Sequence, residues 1–166
     1  MSLELPELRL LVAGLAADPE RWSHLVRHDP EQRVFERVID EPEVEGWLIC
    51  WMPGHDTGFH DHDLSSGAVT VVAGAVHEER LGLGTSDANT YFAGETFDFT
   101  ASEIHRVTHA GTEAAVTLHA YSPRLRRLGA YAFSPGGALK RHPLGYGEEL
   151  RPVATGGIPA ARPVTA

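Results

Sequence analysis

The chain has 166 residues, 42% of them hydrophobic and 22% charged, with a formal net charge of -9. That is one domain's worth of chain, with apolar residues enough for one core and too few residues to argue for two. No run of Lys and Arg is present, so nucleic acid and anionic membrane surfaces, which need a basic footprint, are excluded as partners. The opening MSLELPELRLLVAGLAADPE carries glutamates rather than basic residues ahead of its apolar stretch, which predicts an amphipathic helix and not a secretory leader. Residues 6–28 are predicted as two short helices: Leu8, Leu10, Leu11 and Leu15 recur at helical spacing, then Asp18 caps and Pro19 opens a second turn. From Arg33 onward the texture changes to short apolar or alternating runs, RVFERVI, EGWLICWM, GAVTVVAGAV, NTYFA, ETFDF, HRVTHA, AAVTLHAYS and RLGAYAF, broken by Gly, Pro, Asp and Ser. Many short strands without intervening helices predict an all-β antiparallel fold, a small β-barrel preceded by short N-terminal helices. Residues 1–150 are read as that domain and 151–166, rich in Pro, Gly and Ala with nothing to bury, as a flexible tail. No segment reaches the roughly 20 apolar residues of a membrane span. Cys50 is the one cysteine and lies in the apolar run GWLICW, which excludes a disulfide framework and predicts a reducing, cytoplasmic compartment.

Ten histidines are present, and two stand out. His60 and His62, in GHDTGFHDHDLSSGAVTVVAG (54–74), are i and i+2 of an extended segment, so they face the same way and can reach one ion. An isolated HxH is more often a solvated turn. The glycines alter that balance, because Gly54, Gly67 and Gly74 space strands and a hairpin around the pair. Downstream, in GETFDFTASEIHRVTHAG, a strand and a TAS turn are followed by His105 at the head of the next strand. Thr117, His119 and Tyr121 alternate along TLHAY and share one strand face, with Val116, Leu118 and Ala120 on the other. On pattern alone this strand also fits an ordinary half-buried one with a satisfied histidine.

A glycine, five residues, HxH, and later a glycine, a short turn and a third histidine resemble the cupin family, whose first motif is matched by Gly54, His60, His62 and Gly74. The chain departs from it where Gly67 lies near the place of the usual glutamate ligand, TAS replaces the PxG turn, and His109 replaces an asparagine. Loss of the glutamate narrows the resemblance to the three-histidine thiol dioxygenases, cysteine dioxygenase above all. LICW, HDH, HRV and LHAYSP stand in that family's order between Arg33 and Tyr131.

The resemblance implies a cupin barrel with Fe(2+) held by His60, His62 and His105, and a small thiol oxidised with O2 to its sulfinic acid. Three neutral imidazoles leave a ferrous ion its full double charge and an open face for substrate and oxygen. It implies further that the Tyr121 hydroxyl points at the iron and that His119 orients it, with Thr117 in place of the family's serine. Mammalian members link the tyrosine to a cysteine just after the HxH segment. Gly67 stands there in this chain, so Tyr121 is expected to remain a free phenol and Cys50 to be a core residue. Arg37 best matches the family's arginine for a substrate carboxylate, and Arg33 lies four residues earlier on the same strand face. The other reading of Arg37 is an exposed strand charge paired with Glu36 or Glu41. Mercaptopropionate dioxygenases place glutamine near this position, so an arginine leans toward L-cysteine. Mercaptopropionate, mercaptosuccinate or another thiol are alternatives, as are a cupin metalloenzyme acting on a carbon substrate and a non-enzymatic ligand-binding cupin. The expected partners are a small-molecule thiol and O2, and the expected state is a monomer or small homo-oligomer.

Overall fold

The computed structural model describes residues 2–82, 87–145 and 147–154. It opens on helix α1, Leu5–Ala16, whose first turn is closed by Glu4 N–H donating to the Glu7 carboxylate at 2.8 Å, with Pro6 where its missing N–H costs nothing. Leu8, Val12 and Leu15 recur at i, i+4 and i+7 and are fully buried, which makes α1 a one-faced helix. The expected second helix is reduced to two single 3-10 turns, Pro19–Arg21 and Ser23–Leu25. Neither turn has a buried residue, and the Trp22 indole N–H folds back to donate to Leu15 O at 3.0 Å, ending α1 instead of extending a new helix.

Eleven strands follow: β1 Val34–Asp40, β2 Glu45–Trp51, β3 His60–Asp61, β4 Ser66–Ala73, β5 Ala75–Arg80, β6 Asp87–Phe92, β7 Thr96–Phe99, β8 His105–Ala110, β9 Ala115–Ser122, β10 Arg127–Phe133 and β11 Leu139–Gly145. They form a five-stranded sheet in the order β1-β2-β9-β4-β7 and a six-stranded sheet in the order β11-β10-β3-β8-β5-β6, antiparallel throughout. The predicted run GAVTVVAGAV is divided at Gly74, which turns at φ +66°; a Cβ there would lie 2.6 Å from Ala114 O. Strand β11 was invisible to the pattern because LKRHPLG does not alternate and contains a proline, which is tolerated at a sheet edge. Strand β3 was invisible because it is two residues long.

The five-stranded sheet is buried on both faces. Its outer face packs under α1, where Leu48, Ala68, Leu118 and Ala120 meet Leu8, Val12 and Leu15. Its inner face closes the barrel with Trp51, Val69, Val71, Phe97, Phe99 and Tyr121. Consequently β9, its central strand, has all eight residues buried. Apolar Val116, Leu118 and Ala120 point to the helix, which leaves Thr117, His119 and Tyr121 for the barrel interior. Residues 151–154 of the expected tail are docked: Arg151 donates to Glu31 O at 3.0 Å, and Pro152 lies so close to Gly58 that a Cβ on that glycine would come within 2.8 Å of Pro152 Cα. The rest of that tail, 155–166, falls outside the described residues.

Candidate metal centre and cavity

Alternation along the short strand β3 divides the triplet HDH. His60 and His62 turn inward, both buried, while Asp61 turns outward to accept from Arg141 at 2.6 and 2.8 Å and from Tyr131 at 2.6 Å. Burial works against the Asp61 charge, but Arg141 and Tyr131 hold its carboxyl down at about 2, so β3 is pinned to β10 and β11 by an ionised residue. The loop before β3 is tied to β8 in the same way: Thr57 exchanges hydrogen bonds with Val107 at 2.9 and 3.0 Å, and Arg106 binds Asp56 at 2.5 Å. Arg106 therefore points away from His105 and serves to tie the loop to the strand.

The third histidine arrives through sheet pairing. His60 and His105 are direct partners across β3 and β8, and their ring centroids are 4.6 Å apart. His62 lies 4.8 Å from His60 and 5.1 Å from His105 by the same measure. The three imidazoles offer ligand atoms all within 4.8 Å of one another, and no carboxylate joins them among the described residues. Phe99 stacks on the His62 ring at 4.4 Å and 20°, fixing its plane.

Two of the outer nitrogens can be followed. His60 Nδ1 is 3.0 Å from Gly58 O, and His105 Nδ1 is 2.8 Å from the Glu78 carboxylate, so in both rings Nε2 is turned inward. His105 Nε2 and His62 Nδ1 are buried without a hydrogen-bond partner among the described residues. An orphaned buried nitrogen is costly in a protein interior and ordinary on a metal ligand. Burial holds all three imidazoles well below the usual histidine range, His105 at about 3, so all are neutral donors near pH 7. The residues therefore fit a divalent metal with three nitrogen ligands and open positions.

Glu78 was not foreseen. In VHEER it looks like one more strand charge, yet it is fully buried; burial pushes its carboxyl up to about 7 against the pull of Arg80. The one signal in the chain was indirect, since a ligating histidine needs something to hold its second nitrogen. Replacing Glu78 by Gln keeps the shape and removes the charge; it is expected to weaken zinc or iron(II) binding by about 10- to 100-fold in a direct titration.

Behind the histidines a cavity of about 120 Å³ opens, walled by Phe35, Trp47, Ile49, Leu125, Leu128 and Leu150. Tyr121 and His119 reach it from β9. A chain of short contacts runs along that strand face: Trp51 Nε1 to Thr117 Oγ1 at 2.8 Å, Thr117 Oγ1 to His119 Nε2 at 2.7 Å, and His119 Nδ1 to the Tyr121 hydroxyl at 3.0 Å. Burial lowers His119 to about 3 and raises Tyr121 above its ordinary value, the latter with help from Glu45. Both groups are thus neutral in the folded protein.

The arginine on the cavity wall is Arg33 and not Arg37. Arg33 is buried, 5.2 Å above the Trp51 ring, donating to Leu150 O and paired with Glu149 at 3.6 Å. Burial lowers it to about 10, which leaves it charged at neutral pH. Arg37 shares the strand face, as alternation predicts, but lies further along β1 beside a bulge between Arg37 and Ile39; there it covers Trp47 at 5.0 Å and meets Asp40 at 3.2 Å on the exposed surface. What gives Arg33 its burial is the segment Gly147–Leu150, which also lines the cavity and which sequence reading had passed over. Gly67 is level with Tyr121 and Phe99 in the sheet register, and a Cβ on it would meet Phe99 Cζ at 2.3 Å.

The family model described as cysteine dioxygenase type I matches residues 2–134. "Cysteine dioxygenase type 1" of Danio rerio is 25% identical over 135 residues, 74% of this chain and 67% of the relative, and that of Homo sapiens is 23% identical over 133 residues, 73% and 66%. The match thus spans about two thirds of the length of these relatives. Among solved structures, the TT1209 protein of Thermus thermophilus superimposes with a TM-score of 0.56 at 20% identity, covering 61% of this chain and 93% of that one. A cupin superfamily protein of Desulfitobacterium hafniense gives 0.53 at 12%, covering 63% and 89%. These two likenesses speak for the barrel, and the family model speaks for kinship: the chain is a cupin-fold member of the cysteine dioxygenase type I family.

Proposed function

We propose that this protein is a non-haem Fe(II) thiol dioxygenase that converts a small carboxylate-bearing thiol, L-cysteine in the first place, into its sulfinic acid with O2. One observation carries the reading: three buried neutral imidazoles, joined by no carboxylate among the described residues, share a cavity with one buried arginine and one tyrosine hydroxyl. Family membership supports it. Both atoms of O2 end on sulfur, which loses four electrons as O2 gains four, so no further reductant is needed. Iron(II) on His60, His62 and His105 would supply the Lewis acidity and the one-electron chemistry that let a thiolate and O2 react.

The chain's own residues do the rest. Arg33, stacked on Trp51, presents a planar fork for the substrate carboxylate and so fixes where the thiol points. Tyr121 donates a hydrogen bond to the reacting atoms, with His119 holding the phenol in place. Leu125, Leu128 and Leu150 keep water away from the sulfur. In this reading the protein works in a reducing compartment, in keeping with its buried free Cys50.

The test is oxygen uptake by iron-loaded protein across L-cysteine, 3-mercaptopropionate and mercaptosuccinate, with mass spectrometry of the product. Uptake that depends on added thiol, with two oxygen atoms gained by it, is expected; silence toward every small thiol overturns the proposal. Within it, Tyr121→Phe is expected to lower kcat by about 10- to 100-fold, the value of one charge-assisted hydrogen bond, with KM nearly unchanged.

A further inference from the structure

We propose that Trp51 is a positioning residue for this chemistry: its indole N–H sets the direction of hydrogen bonding along Thr117, His119 and Tyr121, so that the tyrosine proton is turned into the cavity. The inference deepens the dioxygenase reading and rests on it for its kinetic arm. An indole N–H can only donate, so the 2.8 Å contact makes Thr117 Oγ1 the acceptor. The threonine has one hydrogen to give. His119 Nε2 stands 2.7 Å away, whereas Ile49 O stands at 3.5 Å, the limit of a useful bond. The hydrogen therefore goes to His119 Nε2.

A neutral imidazole that accepts at Nε2 carries its hydrogen on Nδ1. His119 Nδ1 then donates to the Tyr121 oxygen at 3.0 Å. The phenol hydrogen cannot point back at a donor, and among the described residues Tyr121 has no other hydrogen-bond partner, so it faces the cavity beside His62. In the opposite direction Tyr121 would donate to His119, and Thr117 would accept two N–H groups while donating only across the long gap to Ile49. Polarisation along the chain adds to the preference, since a hydroxyl that accepts from an indole donates more strongly. The same indole carries Arg33 on its ring face at 5.2 Å. One buried side chain thus serves the arginine with its face and the tyrosine with its edge.

The two services separate in Trp51→Phe, which keeps an aromatic face and loses the N–H. Long-range proton–nitrogen NMR on the full chain, metal-free and loaded with diamagnetic zinc, reads the histidine tautomers directly. His119 is expected to be protonated at Nδ1 in the wild type and to shift toward Nε2 in Trp51→Phe. Thr117→Val, nearly isosteric, is expected to release the tautomer in the same way and covers the case in which the tryptophan variant does not fold. An Nε2–H tautomer in the wild type, or a tautomer unmoved by both variants, overturns the proposal. In kinetics, each single variant is expected to lose about 10-fold in kcat with KM within about twofold, and the double variant to lose no more than either one. Losses that multiply would show that Trp51 does not act through Thr117. If the wild type oxidises no thiol, the dioxygenase reading fails while the tautomer measurement still decides the direction of the chain.

Discussion

His105→Ala is expected to abolish both metal retention and thiol-dependent oxygen uptake, with kcat/KM falling by about a thousandfold or more. The ring is fully buried and is the direct cross-strand partner of His60, so no neighbour can swing in to replace it. Its loss leaves two imidazoles and a Glu78 carboxylate that keeps Arg80 but loses its bond to the ligand. Metal content by elemental analysis, measured beside a thermal melt, separates loss of the ion from loss of the fold. Full metal occupancy in a folded His105→Ala protein would remove the three-histidine centre from consideration.

The second large effect distinguishes two arginines. Arg33→Gln is expected to lower kcat/KM for carboxylate-bearing thiols by about 100- to 1000-fold, chiefly through KM, because a buried forked donor contributes roughly 1.5–3 kcal/mol for each charge-assisted bond. Arg37→Gln, whose side chain lies on the surface over Trp47, is expected to stay within about twofold. A thiol without a carboxylate should be indifferent to Arg33→Gln. Equal losses in both variants, or a loss that ignores the carboxylate, would place the anchor elsewhere. Arg33→Lys keeps the charge without the fork and should recover only part of the affinity.

These two cases also measure how far the chain could be read in advance. The facing of His60 and His62 follows from a period of two, and the strand texture from Arg33 onward was enough for the barrel. His105 was reachable through resemblance, since its pairing with His60 depends on a two-residue strand too short to leave a pattern. For the arginines, alternation put both on one face and resemblance favoured Arg37; which one is buried depends on Leu150 and Glu149, more than a hundred residues away in sequence. Glu78 and the indole edge of Trp51 were hidden for the same reason, because what each one touches is decided by the closing of the barrel. The missing second helix is a local failure, where a capping signal had too few buried positions behind it.

The register that sets Gly67 level with Tyr121 has a consequence for the finished molecule. The aromatic ring of Phe99 fills the space where any side chain at that position would begin, and Cys50, the one cysteine, is buried in the core under α1. Tyr121 is then expected to be in its final chemical form as translated. A preparation is therefore expected to give one covalent species by intact-mass spectrometry, without a fraction still awaiting maturation.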